Sequence, residues 1–211
     1  MQSENFSNQK FVSGQIRKYC RLDHAGLKWQ AVDFGTKIKV VIFVIGTMGL
    51  IFFSWQASLK EKRYHGVFRF FGFASILALV LLNSAYWFKN PLSPFQIVSW
   101  LLLLASIMVA AHGFFLLKKM GKPQGQMENT TVLISRGLYK YIRHPLYLSL
   151  ILLAAGAFLK KPSLPGEVLV IVNIFSMIAT ARVEEKEMLA KFGPAYAAYM
   201  KKTKMFIPFL F

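Results

Sequence analysis

Asn90–Leu117 reads NPLSPFQIVSWLLLLASIMVAAHGFFLL, 28 residues without an acidic or basic charge. A helix needs about 20 predominantly apolar residues, range roughly 17–25, to cross a bilayer. This run is long enough, and Pro91 and Pro94 mark where its helix can begin. The pattern repeats on either side. Upstream, Val40–Leu59 is charge-free for 20 residues and Phe70–Phe88 for 19. Downstream lie two shorter runs, Pro145–Leu159 with 15 residues and Val168–Ala181 with 14. These two can still span if flanking Arg143, Lys160, Lys161 and Arg182 snorkel or the bilayer thins locally. Between them stands the breaker Lys160-Lys161-Pro162-Ser163-Leu164-Pro165-Gly166, so they form a hairpin.

The expected fold is therefore an all-α integral membrane protein of about five transmembrane helices. The last two form a short hairpin, and a cytosolic C-terminal amphipathic helix follows. The expected division is a polar, interfacial segment 1–36, three spans over 37–117, and a region 118–211 carrying the polar motifs. The first segment is polar and shows no secretory signal core, and Phe11, Ile16, Tyr19 and Leu22 suit it to the membrane surface. Gly121–Asn129 reads as a flexible loop. Glu184–Lys202 reads as a helix broken or restarted at Gly193-Pro194, with Met188, Leu189, Phe192, Tyr196, Tyr199 and Met200 as its apolar face on the membrane surface.

Composition agrees. Of 211 residues 55% are hydrophobic and 17% charged, against about 25% charged in a soluble domain. Lys and Arg number 26 against 9 Asp and Glu, a net +17, but a nucleic-acid binder would not be this apolar. A disulfide scaffold is excluded because Cys20 is alone. With five spans, 16 of the 26 cations fall on the side that holds the C-terminus, which places that side in the cytoplasm by the positive-inside rule. Lys10, Arg17, Lys18, Arg21, Lys28, Lys37 and Lys39 pull the other way.

Two polar clusters share the C-terminal side. One is Arg136–Tyr147, RGLYKYIRHPLY; the other is Arg182–Glu187, RVEEKE. Pro145 suits the first position of a helix, which puts His144 at the N-cap. That turn can serve as an anion site, or as a plain capping turn with Tyr139, Tyr141 and Tyr147 as an interfacial aromatic belt. Acids are scarce along the chain, so three within Glu184–Glu187 stand out. They can hold a ligand's ammonium or ribose hydroxyls, or pair with Arg143 and Arg182. Glu184, Glu187 and His144 lack the spacing of a metal site, and no metal is expected. His112, inside the third span, is either a functional ionisable residue or a neutral histidine bonded to a neighbouring helix. Arg69, at the border of the second span, is expected to snorkel.

These clusters resemble the isoprenylcysteine carboxyl methyltransferase family, part of a superfamily of small integral membrane methyltransferases that includes phospholipid N-methyltransferases. The resemblance covers roughly Leu117–Phe211. The family pattern G-x-Y-x-x-x-R-H-P-x-Y appears as Gly137, Tyr139, Arg143, His144, Pro145 and Tyr147. After the hairpin, E-E-x-x-L-x-x-x-F-G-x-x-Y-x-x-Y appears as Glu184, Glu185, Phe192, Gly193, Tyr196 and Tyr199, with Met188 in the leucine place. The closing Thr203–Pro208 is similar too. The resemblance implies S-adenosylmethionine as cofactor, enclosed between the RHPxY turn, the helix bearing the glutamates and the C-terminal segment. It implies a lipophilic acceptor reaching the site from the bilayer. His144, Pro145, Leu146 and Tyr147 would line the cofactor, with Tyr139, Arg143, Tyr196, Tyr199, Glu184 and Glu185 completing its binding set. Glu185 and His144 would take part in catalysis, and Arg182 is the nearest match for a catalytic arginine beside the glutamate pair. The expected location is a prokaryotic cytoplasmic membrane with the site facing the cytoplasm. Two rivals stay open: an NADPH-dependent enzyme of the sterol-reductase type, and a non-enzymatic membrane protein whose basic face holds anionic lipid.

Overall fold

The computed structural model describes residues 34–54, 65–121 and 131–208. The interfacial segment around Phe11–Leu22, and the loop expected at Gly121–Asn129 beyond its first residue, lie outside the described residues. Among the described residues six α-helices follow in order: α1 Phe34–Ser54, α2 His65–Asn83, α3 Pro94–Met120, α4 Pro145–Leu159, α5 Leu164–Phe192 and α6 Pro194–Lys202. The described residues contain no strand, and α1, α2, α3 and α5 are long and apolar enough to cross a membrane. With the shorter apolar α4 they make five, and the expected all-α membrane class holds. The chain divides into two compact units, Met1–Val44 and Ile45–Phe211. In the first, the described start of α1 exposes Ile38, Val40, Val41, Ile42 and Val44. All that follows concerns the second.

Local chemistry sets the helix starts. Ser93 and Ser163 cap α3 and α5, each hydroxyl accepting an N–H from the first turn, and prolines occupy the first turns of α3, α4, α5 and α6. The helix edges differ from the charge-free runs. Helix α2 begins at His65, not Phe70, and takes Arg69 inside it, where the side chain is buried rather than snorkelling. Helix α5 runs unbroken for 29 residues from Leu164 to Phe192 and absorbs the glutamate pair. Charge-free counting stops at the first charged side chain, whereas a helix stops only where its backbone is broken. Here that is Gly193, at φ 54° and ψ −130°, a conformation that strongly favours glycine.

The unequal hairpin creates the site. Helix α4 is roughly 22 Å long and α5 roughly 43 Å at about 1.5 Å per residue. Helix α4 ends and α5 begins at the link Lys160–Ser163, so roughly the far half of α5 overshoots the start of α4. That overhang carries Glu184 through Phe192 past the His144 turn.

Helix α4 packs on α3 and α5, and α2 packs on α4 and α5. Small and polar residues line these seams, as expected where lipid offers no hydrophobic drive for helices to associate. Ser99 donates to the Gly156 carbonyl at 2.7 Å and Ser106 to the Ser149 carbonyl at 2.7 Å, joining α3 to α4. Asn83 donates to the Ala157 carbonyl at 2.8 Å and Asn173 to the Gly72 carbonyl at 3.0 Å, fixing α2 against both halves of the hairpin.

Candidate active site

The segment between α3 and α4 is held by its own turn and by the C-terminus. A 3-10 turn, Gly137–Lys140, opens on Gly137 at φ 58°, and any Cβ there would collide with Leu116 and His112 of α3. The turn buries Tyr139. Beyond it, Tyr141–His144 runs beside Lys204–Met205. The Lys204 N–H donates to the Tyr141 carbonyl at 3.0 Å, the Arg143 N–H to the Lys204 carbonyl at 2.8 Å, and the His144 N–H to the Met205 carbonyl at 3.2 Å. The C-terminal segment thus satisfies the backbone of the Arg-His-Pro turn.

His144 is the N-cap of α4, yet its ring does not cap the helix. It turns toward the overhanging α5. Its Nε2 lies 3.2 Å from Glu185 Oε1, and its Nδ1 lies 3.7 Å from Glu184 Oε2. Arg143 Nε donates to the same Glu185 oxygen at 2.6 Å, while Nη1 donates to the Thr203 carbonyl at 2.5 Å. Glu185 therefore clamps the α4 turn to α5, and Arg143 extends the clamp to the C-terminal segment. All three side chains are at most a tenth exposed, so the charges are paired away from water. The His144 ring stacks on Tyr147, centroids 5.5 Å apart and planes 21° apart.

Helix α6 closes the far side. The Tyr199 hydroxyl donates to the Tyr139 carbonyl at 2.7 Å, and the Thr203 hydroxyl donates to the Tyr199 carbonyl at 2.8 Å. Tyr196 and Tyr199 are buried, so the α6 part of the expected apolar face packs inward on the site, whereas Leu189 of the same face is exposed. Burial pushes the phenols of Tyr139, Tyr196 and Tyr199 well above their usual range. Nearby Glu184 pushes Tyr139 and Tyr196 further in the same direction, and Glu185 does so for Tyr196. These phenols stay protonated, and that of Tyr199 donates.

A cavity of about 160 Å³ lies among these pieces. It is lined by Tyr139, Arg143, His144, Pro145, Leu146, Tyr147, Glu184, Tyr196 and Tyr199, together with Leu117, Leu133, Ile134, Met188 and Phe192. Drug-sized sites are typically about 300–1,000 Å³, so a nucleoside-sized molecule would extend beyond this space. The two glutamates divide their tasks: Glu184 lines the cavity, whereas Glu185 stands behind it in the clamp. Arg182 is exposed on α5, and His112 is exposed on α3; neither lines the cavity. Of the three tyrosines that could form an aromatic belt, only Tyr141 is exposed.

Sequence reasoning had Met188 and Phe192 on one helix face but did not aim that face at a site. They follow Glu184 by four and eight residues, which repeats its direction on α5. Leu117, Leu133 and Ile134 carry no comparable signal. The buried Arg69 could have been found by asking why an arginine sits about one turn inside an apolar helix.

Comparison with known proteins covers the same ground. Residues 95–195 match the model of the phospholipid methyltransferase family. A curated relative, methanethiol S-methyltransferase 2 of Bradyrhizobium diazoefficiens, is 33% identical over 76 residues. That alignment takes in 35% of this chain and 28% of the relative, so the chain matches little more than a quarter of the relative's length. Both findings fall within the integral membrane methyltransferases that the two motifs resemble.

Proposed function

We propose that the chain is an S-adenosylmethionine-dependent methyltransferase acting on a lipophilic or membrane-embedded acceptor at the cytoplasmic face of a prokaryotic membrane. The observation that carries this reading is convergence. The Gly137–Tyr147 and Glu184–Tyr199 motifs lie on different elements and meet at one cavity. The family match covers residues 95–195, which include most of both motifs.

The lining suits the cofactor's chemistry. Leu117, Leu133, Ile134, Met188 and Phe192 offer an apolar wall for a purine. Glu184 offers a carboxylate for an ammonium or for ribose hydroxyls, and a negative potential for a sulfonium. When bound, S-adenosylmethionine supplies an electrophilic methyl group. The protein's contribution is positioning and exclusion of water. Glu185, Arg143 and His144 hold the two walls together, and the buried phenols line the space without adding charge. A carboxylate acceptor needs no base. A thiol or amine acceptor has a proton to lose, and Glu184 is the cavity carboxylate that would take it, with His144 beside it. Arg182, exposed near the glutamate pair, is placed to meet acceptor charge outside the cavity. The family model is named for a phospholipid acceptor and the curated relative for a small thiol, and both acceptor classes enter the test.

Calorimetry on the detergent-solubilised protein tests it. Wild type should bind S-adenosylhomocysteine, and Glu184→Gln should weaken that binding by about tenfold. Absence of binding by wild type sinks the proposal, and NADPH binding in its place moves the chain to the reductase class. Radiolabelled methyl donor offered with lipid extracts and with small thiols then identifies the acceptor.

A further inference from the structure

The active-site motifs do not account for Arg69. It lies in α2, well away in sequence from both clusters, and only 6% of it is exposed. A charge buried within an apolar spanning helix is costly unless it has work and a partner.

Helix packing shows where it points. Gly72, about one turn further along α2, lies against Met177 of α5. Met177 belongs to a buried cluster with Tyr147 and Ala181. Helices α2 and α5 run in opposite directions, since Asn173 bonds back to Gly72 while the end of α2 reaches Ala157 at the hairpin tip. Moving from Gly72 to Arg69 therefore moves along α5 from Met177 toward Ala181 and Glu184. The Tyr147 phenol lies there, with Arg69 and Glu184 both acting on it.

We propose that Arg69 is a positioning residue of the active site: from behind the wall it holds Tyr147 and Glu184 in the orientation that receives the cofactor. This rests on the methyltransferase reading. Arg69 does not line the cavity, so it acts through residues that do. The consequence reaches further through ring contact, because Tyr147 stacks on His144, which Glu185 holds in turn. The site then has two arginine supports from opposite sides, Arg143 for Glu185 and Arg69 for Tyr147 and Glu184.

The test is a double-mutant cycle on the full chain in detergent, with S-adenosylhomocysteine as probe. Arg69→Gln and Tyr147→Phe should each weaken binding about tenfold, and the double variant should bind no worse than the weaker single. Arg69→Lys should recover part of the affinity. Melting temperatures are read alongside, and a structural role alone would lower them without non-additive loss of binding. Wild-type affinity in Arg69→Gln, or a double variant whose loss is the product of the singles, overturns the inference. Should Arg69→Gln fail to fold, Arg69→Lys combined with Tyr147→Phe carries the same comparison. A wild type that binds no S-adenosylhomocysteine overturns the functional reading and the inference with it, an outcome distinct from normal binding with an unaffected Arg69 variant.

Discussion

Neighbouring glutamates of one sequence motif perform different work because a helix turns by about 100° per residue. Glu184 faces the cavity, and Glu185 faces Arg143 and His144. Their substitutions should therefore separate. Glu185→Ala leaves Arg143 buried without its carboxylate, and breaking such a pair costs on the order of 3–5 kcal/mol. It should lower the melting temperature strongly and abolish S-adenosylhomocysteine binding as a secondary effect. Glu184→Gln should change stability by about 1 kcal/mol or less while weakening ligand binding. Thermal melts and calorimetry on both variants check this, and equal loss of stability in the two would contradict the division. Sequence made the glutamate pair visible but not the division, since the phase of α5 is fixed by its packing on α2 and α4. Arg69 departs from its expected place for a related reason: an arginine near the end of an apolar run is ordinarily solvated, and nothing in the sequence says that α2 packs this stretch against its neighbouring helices.

At the scale of elements, breakers were legible and helix edges were not. The break at Gly193 is where the sequence placed it, and so is the hairpin link, though the link spans only Lys160–Ser163 because Leu164, Pro165 and Gly166 form the first turn of α5. Helix α2 continues through Arg69 because that side chain is buried against protein, and α5 continues through Arg182 and the glutamates because nothing breaks its backbone before Gly193. The turn at Gly137 offers a sharp test. Gly137→Ala forces a Cβ into a positive-φ position and against Leu116, a strain of about 1–3 kcal/mol before any steric adjustment. The variant should melt lower, and a melting temperature equal to wild type would mean the turn tolerates a side chain. The hairpin tip offers a second test. Lys160 is 4% exposed, with its Nζ 3.4 Å above the Trp100 ring centre and 3.1 Å from Gln96 Oε1. Gln96 in turn donates to the Lys160 carbonyl at 3.1 Å, tying α3 to the tip. A desolvated cation–π contact is worth about 2 kcal/mol. Lys160→Met keeps the length of the side chain and removes the charge. It should lower stability by less than that amount, because the desolvation of the buried ammonium is relieved as the contact is lost, while leaving ligand affinity at the opposite end of the hairpin unchanged, as melts and calorimetry together would show.

At the scale of the molecule, the all-α membrane class followed from the charge-free runs alone, because length and hydropathy decide what can cross a bilayer whatever the packing. Where the walls meet was legible only through the motifs, because nothing in hydropathy brings Tyr139, Glu184 and Tyr199 together. That convergence leaves an electrostatic signature in the stability of the whole protein. Tyr139, Tyr196 and Tyr199 hold their phenolic protons more tightly when folded, since burial opposes the phenolate. Above about pH 10 the unfolded chain releases these protons and the folded one retains them. The unfolded state then binds fewer protons, so stability falls as pH rises, by up to about 1.4 kcal/mol per pH unit for each phenol. Lys160 has the opposite sign: burial lowers its pKa, so stability rises with pH between its folded value and about 10.5, the ordinary lysine value. Three phenols outweigh one ammonium, and the net effect is a loss of stability that steepens above pH 10. Melting temperatures taken from pH 8 to about 11 should show this decline. Replacing Tyr196 with Phe should flatten it, because one of the three titrating phenols is gone. A curve that stays level through that range in wild type, or one equally steep in Tyr196→Phe, would show that the phenols around the cavity reach water and do not oppose their own ionisation.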